Sequence, residues 1–423
     1  MSELPDLPAA TLLRRLREGH LRPVELTEAL LDRVARREGI VRAFATLDEA
    51  GWRSAAAAAR TDSPLAGLPV GVKDVLDTAA LPSGYGSPIW EGHRPRADAA
   101  SVARMQAAGG IIAGKTVTTE FATRHPGPTT NPHDSARTPG GSSQGSAAGV
   151  AAGFFPLAFG TQTAGSVIRP AAYCGITGFK PSYGLIHRAG MKVMSETLDT
   201  IGTMARDVVG CAMLAGACAG LDWMAALGQR SAAPRIALIP AHDESLLSPE
   251  TMSLLDKAAG VLAAAGARVT RPAMPEAVAA AVPAHQVVMQ GETRHALAWE
   301  LATAPERISD VLRERMEWAG SLPEQALPEA RGTLATARRA YSDFMAEYDL
   351  VLTASAQDEA PLGLESTGQA VCNLLWTSLH APCVTLPAGK GPNGMPLGVQ
   401  LVGRIGADAA LLAHAEWSEA ALH

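Results

Sequence analysis

Short apolar runs alternate with helical periodicities over most of the 423-residue chain. Residues 7–37 predict two amphipathic helices, the second beginning at Pro23, a residue suited to a first helical turn. Strands are predicted at residues 68–72, 110–113, 235–239, 268–269, 350–353, 383–387 and 398–402. Helices are predicted at residues 99–108, 249–265 and 408–422, with mainly helical structure at 285–348. This alternation predicts one compact α/β unit whose sheet has covered faces.

No internal repeat and no long low-complexity linker interrupts the chain. The predicted helices and strands are therefore the only basis for dividing it into segments. We predict an N-terminal helical layer at 1–60, a core at 61–210, a variable α/β and helical region at 211–348, and a C-terminal return to the core sheet at 349–423. Within the core, residues 143–153 (SQGSAAGVAAG) have few side chains larger than serine. A helix this slim can be approached closely from all sides, which predicts a buried central helix.

Composition fits a protein with a large core, since 47% of the residues are hydrophobic and 18% are charged. The net charge of −6 and the pI near 6.0 give no reason to expect nucleic acid or a membrane surface as partner. The first residues lack a basic segment followed by an apolar one, and no run of about 18 apolar residues occurs. We therefore expect a cytoplasmic protein.

The cysteines and histidines are scattered. Five cysteines without C-x-x-C spacing predict neither a disulfide framework nor a zinc site, and we interpret them as small core residues. They are Cys174, Cys211, Cys218, Cys372 and Cys383. The 11 histidines show no H-E-x-x-H or comparable ligand spacing. No metal site and no cofactor are expected.

Lys73 is the most unusual charged residue, because it lies in the apolar stretch LAGLPVGVKDV at residues 65–75. Only six of the 36 basic residues are lysines, so arginine serves wherever charge alone is needed. A buried lysine, unlike arginine, can become neutral and act as a base. Strand alternation places Asp74 on the opposite face. The alternative is that Lys73 ends the strand and extends its amine to water.

Serines in glycine-rich segments form the second candidate feature. Ser142 and Ser143 follow two glycines in PGGSSQGSAAG (139–149), and Ser166 follows Gly165 in GTQTAGSVIRP (160–170). Glycine permits close approach and unusual dihedrals, which nucleophile loops need. No histidine stands in a comparable frame, so a base for these hydroxyls must come from elsewhere. The alternative is that such loops are mere turns or phosphate cradles.

Residues 109–116 (GGIIAGKT) formally match the nucleotide-binding P-loop pattern G-x-x-x-x-G-K-[ST]. A P-loop follows a strand and opens a helix, whereas here a helical segment precedes the glycines and an apolar strand-like run lies inside the motif. No apolar strand ending in a magnesium-binding aspartate is evident downstream. A P-loop NTPase is therefore a disfavoured alternative.

Several unlinked blocks together resemble the amidase signature family. They are the segments around Lys73, Ser142 and Ser166, GKTVTTEFA (114–122), CGITGFKPSYG (174–184) and MPLGVQLVGR (395–404). The resemblance covers residues 7 to about 207 and again 348–423. The two candidate serines are 24 positions apart, the family's separation when the first serine of the pair is the relay. The resemblance implies a single compact α/β domain with a mixed central sheet covered by helices on both faces.

The resemblance also implies a Ser-cisSer-Lys mechanism. Ser166 would be the nucleophile, Ser142 the bridging serine after a cis peptide bond, and Lys73 the neutral base. The oxyanion hole would consist of the backbone amides of Thr163, Ala164, Gly165 and Ser166. Three further residues, Ser143, Arg169 and Asp199, would support the site, and we expect a buried ion pair between the last two. Three residues of this chain differ from those found in many members of the family: Gln162, Ala164 and Gln144.

We therefore predict an amidase-type hydrolase of carbon–nitrogen bonds other than peptide bonds. The preferred substrate is a small, fairly apolar amide, with carbamates (urethanes) and esters as related candidates, because no arginine can be assigned to clamp a substrate carboxylate. The region at 211–348 would face this small-molecule substrate. The alternatives are the glutamine-hydrolysing A subunit of a tRNA-dependent amidotransferase and a non-enzymatic scaffold. We expect a monomer or homodimer.

Overall fold

A computed structural model describes residues 4–224, 227–228 and 233–423. In these residues one mixed sheet of eleven strands runs through the molecule in the order β1-β3-β2-β4-β6-β5-β10-β11-β9-β7-β8. The strands are β1 (Phe44–Thr46), β2 (Pro69–Lys73), β3 (Ile111–Thr116), β4 (Leu157–Gln162), β5 (Thr177–Lys180), β6 (Thr200–Ala205), β7 (Arg235–Leu238), β8 (Arg268–Thr270), β9 (Leu350–Ala354), β10 (Cys383–Lys390) and β11 (Pro396–Val402). All the strands predicted from the apolar runs are present.

Strand direction changes across the sheet. Strand β2 runs parallel to both β3 and β4, and β7 runs parallel to β8 and β9, whereas the strands from β4 through β6, β5, β10 and β11 to β9 pair antiparallel. Val70 of β2 stands opposite Leu157 of β4. Continued along the strands, that register brings Lys73, at the end of β2, beside the last residues of β4. The parallel pair of β2 and β4 therefore places the candidate site where these two strands end.

Helices flank the sheet. They are α1 (Ala9–Arg17), α2 (Pro23–Val41), α3 (Glu49–Ala58), α4 (Ala100–Ala107), α5 (Gln144–Ala152), α6 (Ile168–Tyr173), α7 (Val208–Ala219), α8 (Pro249–Ala264), α9 (Glu276–Ala279), α10 (Ala281–Ala296), α11 (Ala298–Thr303), α12 (Asp310–Gly320), α13 (Ala326–Phe344), α14 (Leu374–Ser378) and α15 (Asp408–Leu422). Helices α5 and α6 contact each other, while α15 contacts both α7 and α8. Strands between these two layers, such as β4, are buried along their whole length. The predicted α/β fold with a covered mixed sheet is confirmed.

Helix α5 is the predicted slim central helix. Eight of its nine residues are buried, and it contacts β2, β3, β4 and β6. Its glycines permit this packing, because a Cβ added to Gly145 would lie 2.0 Å from the carbonyl oxygen of Ala43. A Cβ added to Gly149 would lie 2.2 Å from the ring of Phe155. Close packing thus fixes the start of α5, where the serine pair lies.

The segment that matches the P-loop pattern is not a loop. Its last six residues form the extended strand β3, and Lys115 is fully buried in that strand. Its Nζ forms an ion pair with Asp74 Oδ1 at 2.8 Å. A lysine held in this way is not available to a phosphate, so the nucleotide-binding alternative loses its structural basis.

The division into four segments stays a prediction. Residues 1–3 of the predicted helical layer, and 225–226 and 229–232 of the variable region, lie outside the described residues. Strands β7 and β8 of the variable region join the same sheet as the core strands. The five cysteines are free and buried, as expected of core residues. Across the described ranges, none of the helices combines the length and the apolar character that a bilayer crossing would require.

Candidate active site

Lys73 is fully buried at the end of β2, so the alternative in which its amine reaches water is wrong. Its Nζ donates hydrogen bonds to Ser142 Oγ at 2.7 Å and to Thr161 Oγ1 at 2.8 Å. Burial holds the pKa of this amine well below its usual value, and the opposing influence of Asp199 is weaker. Among the described residues no carboxylate forms an ion pair with Lys73. The site therefore contains a buried amine without a counter-ion.

Ser142 stands between β3 and α5. The peptide bond from Gly141 to Ser142 is cis, as the resemblance implied. The carbonyl oxygen of Ser142 accepts hydrogen bonds from the backbone amides of Thr119 and Gln144. These contacts fix the backbone on both sides of the hydroxyl that Lys73 contacts.

Ser166 lies in the turn between β4 and α6, with 9% of its surface exposed. Gln162, at the end of β4, shapes this turn: its Oε1 accepts hydrogen bonds from the amides of Val167 at 2.8 Å and Ile168 at 3.0 Å. Its Nε2 donates to Thr377 Oγ1 at 3.0 Å. The glutamine that departs from the usual family pattern thus folds the turn and satisfies the first amides of α6.

The backbone amides from Thr163 to Ser166 are left unused. The carbonyl oxygen of Thr163 accepts from His285 Nε2 at 2.9 Å, and that of Ala164 accepts from Thr377 Oγ1 at 2.7 Å. In the part of the chain that the structure covers, none of the four amides donates a hydrogen bond. The carbonyls of Thr163 and Ala164 are therefore held, while the four N–H groups of the turn have no acceptor among the described residues.

His285 supports this turn as a neutral side chain. It is buried on α10, and burial lowers its pKa to about 4, an effect that the contact with the carbonyl of Thr163 only partly offsets. Because a carbonyl oxygen can only accept, the Nε2 atom must carry the proton. The sequence prediction missed this residue, since it lies 122 positions from its partner.

The departures at Gln144 and Ala164 are both accommodated. Gln144 Oε1 accepts a hydrogen bond from the amide of Gly127 at 2.7 Å. Ala164 is not among the residues with a positive φ, so its methyl group needs no left-handed backbone. The neighbouring Gly165 cannot carry a side chain, because an added Cβ would lie 2.4 Å from Asn373 Oδ1.

One predicted contact is not formed. The bridging role that the resemblance implies for Ser142 requires its Oγ to lie within hydrogen-bond distance of both Lys73 Nζ and Ser166 Oγ. Over the residues that the structure covers, Ser142 contacts Lys73 but makes no hydrogen bond with Ser166. The side chain of Ser166 instead lines a small cavity. The structure therefore brings Lys73 and Ser142 together, while Ser166 lies at the cavity.

Ser143 and Thr161 form a second layer behind the lysine. Ser143 Oγ accepts a hydrogen bond from the amide of Thr161 at 3.2 Å and donates to its carbonyl oxygen at 3.4 Å. Thr161 in turn receives the hydrogen bond from Lys73. The supporting role of Ser143 stays a prediction. The sequence analysis missed Thr161, whose only signal was its place just before the turn that contains Ser166.

The expected ion pair between Arg169 and Asp199 is wrong. Arg169 donates to the carbonyl oxygen of Gly141 at 2.6 Å, whereas Asp199 accepts from Thr163 Oγ1 at 2.5 Å and from the amides of Met194 and Ser195. Arg169 and Asp199 thus form hydrogen bonds with nearby polar groups instead of an ion pair with each other. Burial raises the pKa of Asp199 to about 6. Arg169 nevertheless contacts Gly141, the residue before Ser142, and Asp199 contacts Thr163 in the turn that contains Ser166.

Comparisons with known proteins agree with this geometry. The family model described as Amidase matches residues 25–412. The A subunit of the glutamyl-tRNA(Gln) amidotransferase of Roseiflexus sp. (strain RS-1) is 34% identical over 96% of this chain and 94% of the relative. Among solved structures, an amidase is 27% identical with a TM-score of 0.88, covering 99% of this chain and 100% of the other.

A peptide amidase from Stenotrophomonas maltophilia is also similar, with 25% identity, a TM-score of 0.83 and coverage of 99% of this chain and 98% of that one. The match to the family model spans the sheet, the buried amine and the serine turns. The chain therefore belongs to the amidase signature family of enzymes that hydrolyse carbon–nitrogen bonds.

Proposed function

We propose that this protein is a serine hydrolase that cleaves small amides, and related carbamates and esters, with Ser166 as nucleophile, Ser142 as bridge and Lys73 as base. The observation that carries the proposal is the 2.7 Å contact between Ser142 Oγ and a buried lysine amine without a carboxylate partner. A neutral amine has a free electron pair and can accept a proton. In the described part of the chain, no other base contacts Ser142.

The reaction proceeds in two halves. Ser166 Oγ attacks the carbonyl carbon, its proton passes to Ser142 Oγ, and the Ser142 proton passes to Lys73 Nζ. The ammonium returns a proton through Ser142 to the leaving nitrogen, the C–N bond breaks, and an acyl-enzyme remains. Water then attacks the acyl carbon by the same route, releasing the acid and restoring the Ser166 hydroxyl. The free amides of the turn stabilise the oxyanion in both halves.

This relay requires Ser166 to turn toward Ser142. Catalytic hydrogen bonds in unliganded enzymes are often long and tighten only when substrate binds. A rotation about the Cα–Cβ bond is the smallest movement that redirects the hydroxyl from the cavity.

Replacement of Ser166 tests the proposal. Ser166→Ala removes the attachment point of the acyl group, so amide hydrolysis falls to background while circular dichroism and thermal unfolding stay unchanged. Thr163→Ser is a matched control in the same turn, because it retains the hydroxyl that Asp199 accepts from. Retained hydrolysis in the alanine variant would refute the nucleophile assignment.

The second candidate function is that of an amidotransferase A subunit, which the similarity to the Roseiflexus protein favours. Ammonia release from glutamine by the isolated chain distinguishes the two. We expect it to be negligible beside hydrolysis of amides that lack an ammonium group, and the opposite ranking would favour the amidotransferase function.

A further inference from the structure

The cavity beside Ser166 is strongly basic. Its lining includes Arg124, Arg169 and Arg315, together with Met194, Met289 and Gln290, and within the described residues it contains no aspartate or glutamate. The sequence had offered no arginine for a substrate carboxylate, whereas the structure places three arginines in the lining of this cavity. The three arginines come from distant parts of the chain and meet only in the folded protein.

Arg169 is the most deeply placed of the three, with 5% of its surface exposed. Its guanidinium donates to the carbonyl oxygen of Gly141 at 2.6 Å and to Thr367 Oγ1 at 3.3 Å, but its buried Nε has no partner in the described part of the chain. A buried cation without an anionic partner is costly. Part of its hydrogen-bonding capacity is therefore open to a ligand.

Arg124 and Arg315 complete the positive wall. Both Arg124 nitrogens share the Gln369 Oε1 atom at 3.2 Å, a neutral partner. Arg315, on α12, donates no hydrogen bond within the described residues. Its pKa is lowered mainly by burial and, to a smaller extent, by the like charge of Arg124. Elsewhere, arginines such as Arg33 and Arg235 pair with carboxylates. None of the three cavity arginines forms an ion pair with a carboxylate of the described residues, so a compensating anion would have to come from a ligand.

We propose that this anion is a carboxylate of the substrate, held by Arg124 and Arg315 close to the scissile amide. Planar guanidinium groups bind carboxylates through paired, charge-assisted hydrogen bonds. The inference rests on the proposed function, since it names the substrate class of the same site. The substrate is then a monoamide of a short dicarboxylic acid.

The size and charge of the cavity narrow this class. Its volume is about 50 Å³, well below the roughly 150 Å³ that holds benzene in a protein interior. A cavity of this size favours a compact carboxylate on one to three methylene groups over an aryl group. Because no acidic side chain among the described residues lines the cavity, the ammonium of an amino-acid amide such as glutamine has no partner there.

Binding measurements test the inference without requiring turnover. We would titrate the Ser166→Ala protein calorimetrically with malonamate, succinamate and glutaramate, and with the uncharged diamide of each acid. In at least one pair we expect the monoamide to bind tenfold or more tightly, as charge-assisted hydrogen bonds imply. Equal or tighter binding of the diamide in all three pairs would overturn the inference.

Substitutions of single arginines show which side chains bind the carboxylate of the monoamide. Arg315→Gln and Arg124→Gln, each combined with Ser166→Ala, are expected to weaken monoamide binding about tenfold and to leave diamide binding unchanged. Arg313→Gln is the matched control, because Arg313 lies on the same helix and pairs with Asp310 instead of lining this cavity. An equal effect of all three substitutions would overturn the assignment. Circular dichroism confirms folding in each case.

Turnover separates this inference from the proposed function. Ammonia release from a tightly bound monoamide by the parent protein, and not by Ser166→Ala, supports both. A monoamide that binds through the two arginines but is never hydrolysed supports the anion site and contradicts the proposed function. Faster hydrolysis of every diamide contradicts the anion site alone.

Discussion

Two lysines stand in neighbouring strands with the same burial and opposite surroundings. Lys73 ends β2 and Lys115 lies in the adjacent β3, and neither has any exposed surface. Lys115 Nζ pairs with Asp74 at 2.8 Å, whereas Lys73 Nζ contacts only hydroxyl and carbonyl oxygens of the described residues. Burial lowers the pKa of both amines, but only that of Lys73 falls well below the ordinary value. For these two lysines, the partner and not the degree of burial separates a structural cation from a candidate base.

The largest expected effect separates the two lysines by activity. Lys73→Met keeps the volume but removes the proton acceptor, so kcat/KM falls by roughly 10²–10⁴. Lys73→Arg is equally inactive, because arginine keeps its proton. Steady-state hydrolysis of a small amide measures the loss, and a tenth or more of the parent activity in either variant would contradict the base role.

Replacing the other lysine changes stability instead. Lys115→Met leaves Asp74 buried without its cation, which lowers the free energy of unfolding by about 3–5 kcal/mol. Denaturant unfolding measures this loss, and activity per folded molecule stays within a few-fold of the parent. Lys73→Met is the matched control, because it removes a buried amine that has no carboxylate partner and is therefore not expected to lower the free energy of unfolding. Equal losses of stability in both variants would erase the distinction between the lysines.

Much of this contrast could be predicted from the sequence, but not all of it. Lys73 and Ser142 were evident because glycines and apolar residues surround them, and strand alternation correctly separated Asp74 from Lys73. Thr161 gave little signal, since a threonine inside a strand is ordinary. The Arg169–Asp199 pair was wrong because backbone groups and Thr163 compete for the same charges.

The arginine cavity was invisible in the sequence for a different reason. Arg124 and Arg315 are separated by most of the variable region, and only the packed fold places both beside Ser166. No periodicity or motif connects such distant positions. The strands and helices follow from local pattern, whereas a pocket depends on which loops and helices meet at the sheet edge.

The pH dependence of stability sharpens the comparison further. The pKa of Lys73 is lower in the folded chain than in the unfolded one, so between these two values the unfolded chain binds more protons. The contribution of Lys73 to stability therefore increases as pH rises from its folded pKa to about 10.4, the unfolded value. Unfolding at several pH values measures it as the difference between parent and Lys73→Met. A constant difference would contradict the lowered pKa.

The same titration affects the rate. Protonated Lys73 cannot accept a proton, so kcat/KM falls as pH decreases through the lowered pKa, and is higher at mildly alkaline pH.

A smaller effect is expected at Thr161, whose hydroxyl lies 2.8 Å from Lys73 Nζ. Thr161→Val removes one hydrogen bond that orients the amine, at a cost of about 1 kcal/mol, or roughly fivefold in kcat/KM. Thr161→Ser keeps the hydroxyl and is expected to resemble the parent. Equal kinetics for the valine and serine variants would show that this contact does not position the base.

The protonation state of Lys73 can be measured directly, because the chain contains only six lysines. In protein labelled with ¹³Cε,¹⁵Nζ-lysine, NMR resolves each amine during a pH titration, and Lys73→Met, Lys115→Met and Lys180→Met assign the three buried signals. We predict that Lys73 titrates well below the usual lysine value of about 10.4, and at a lower pH than Lys115. A Lys73 signal that titrates at or above the usual value would contradict a neutral lysine base in this site.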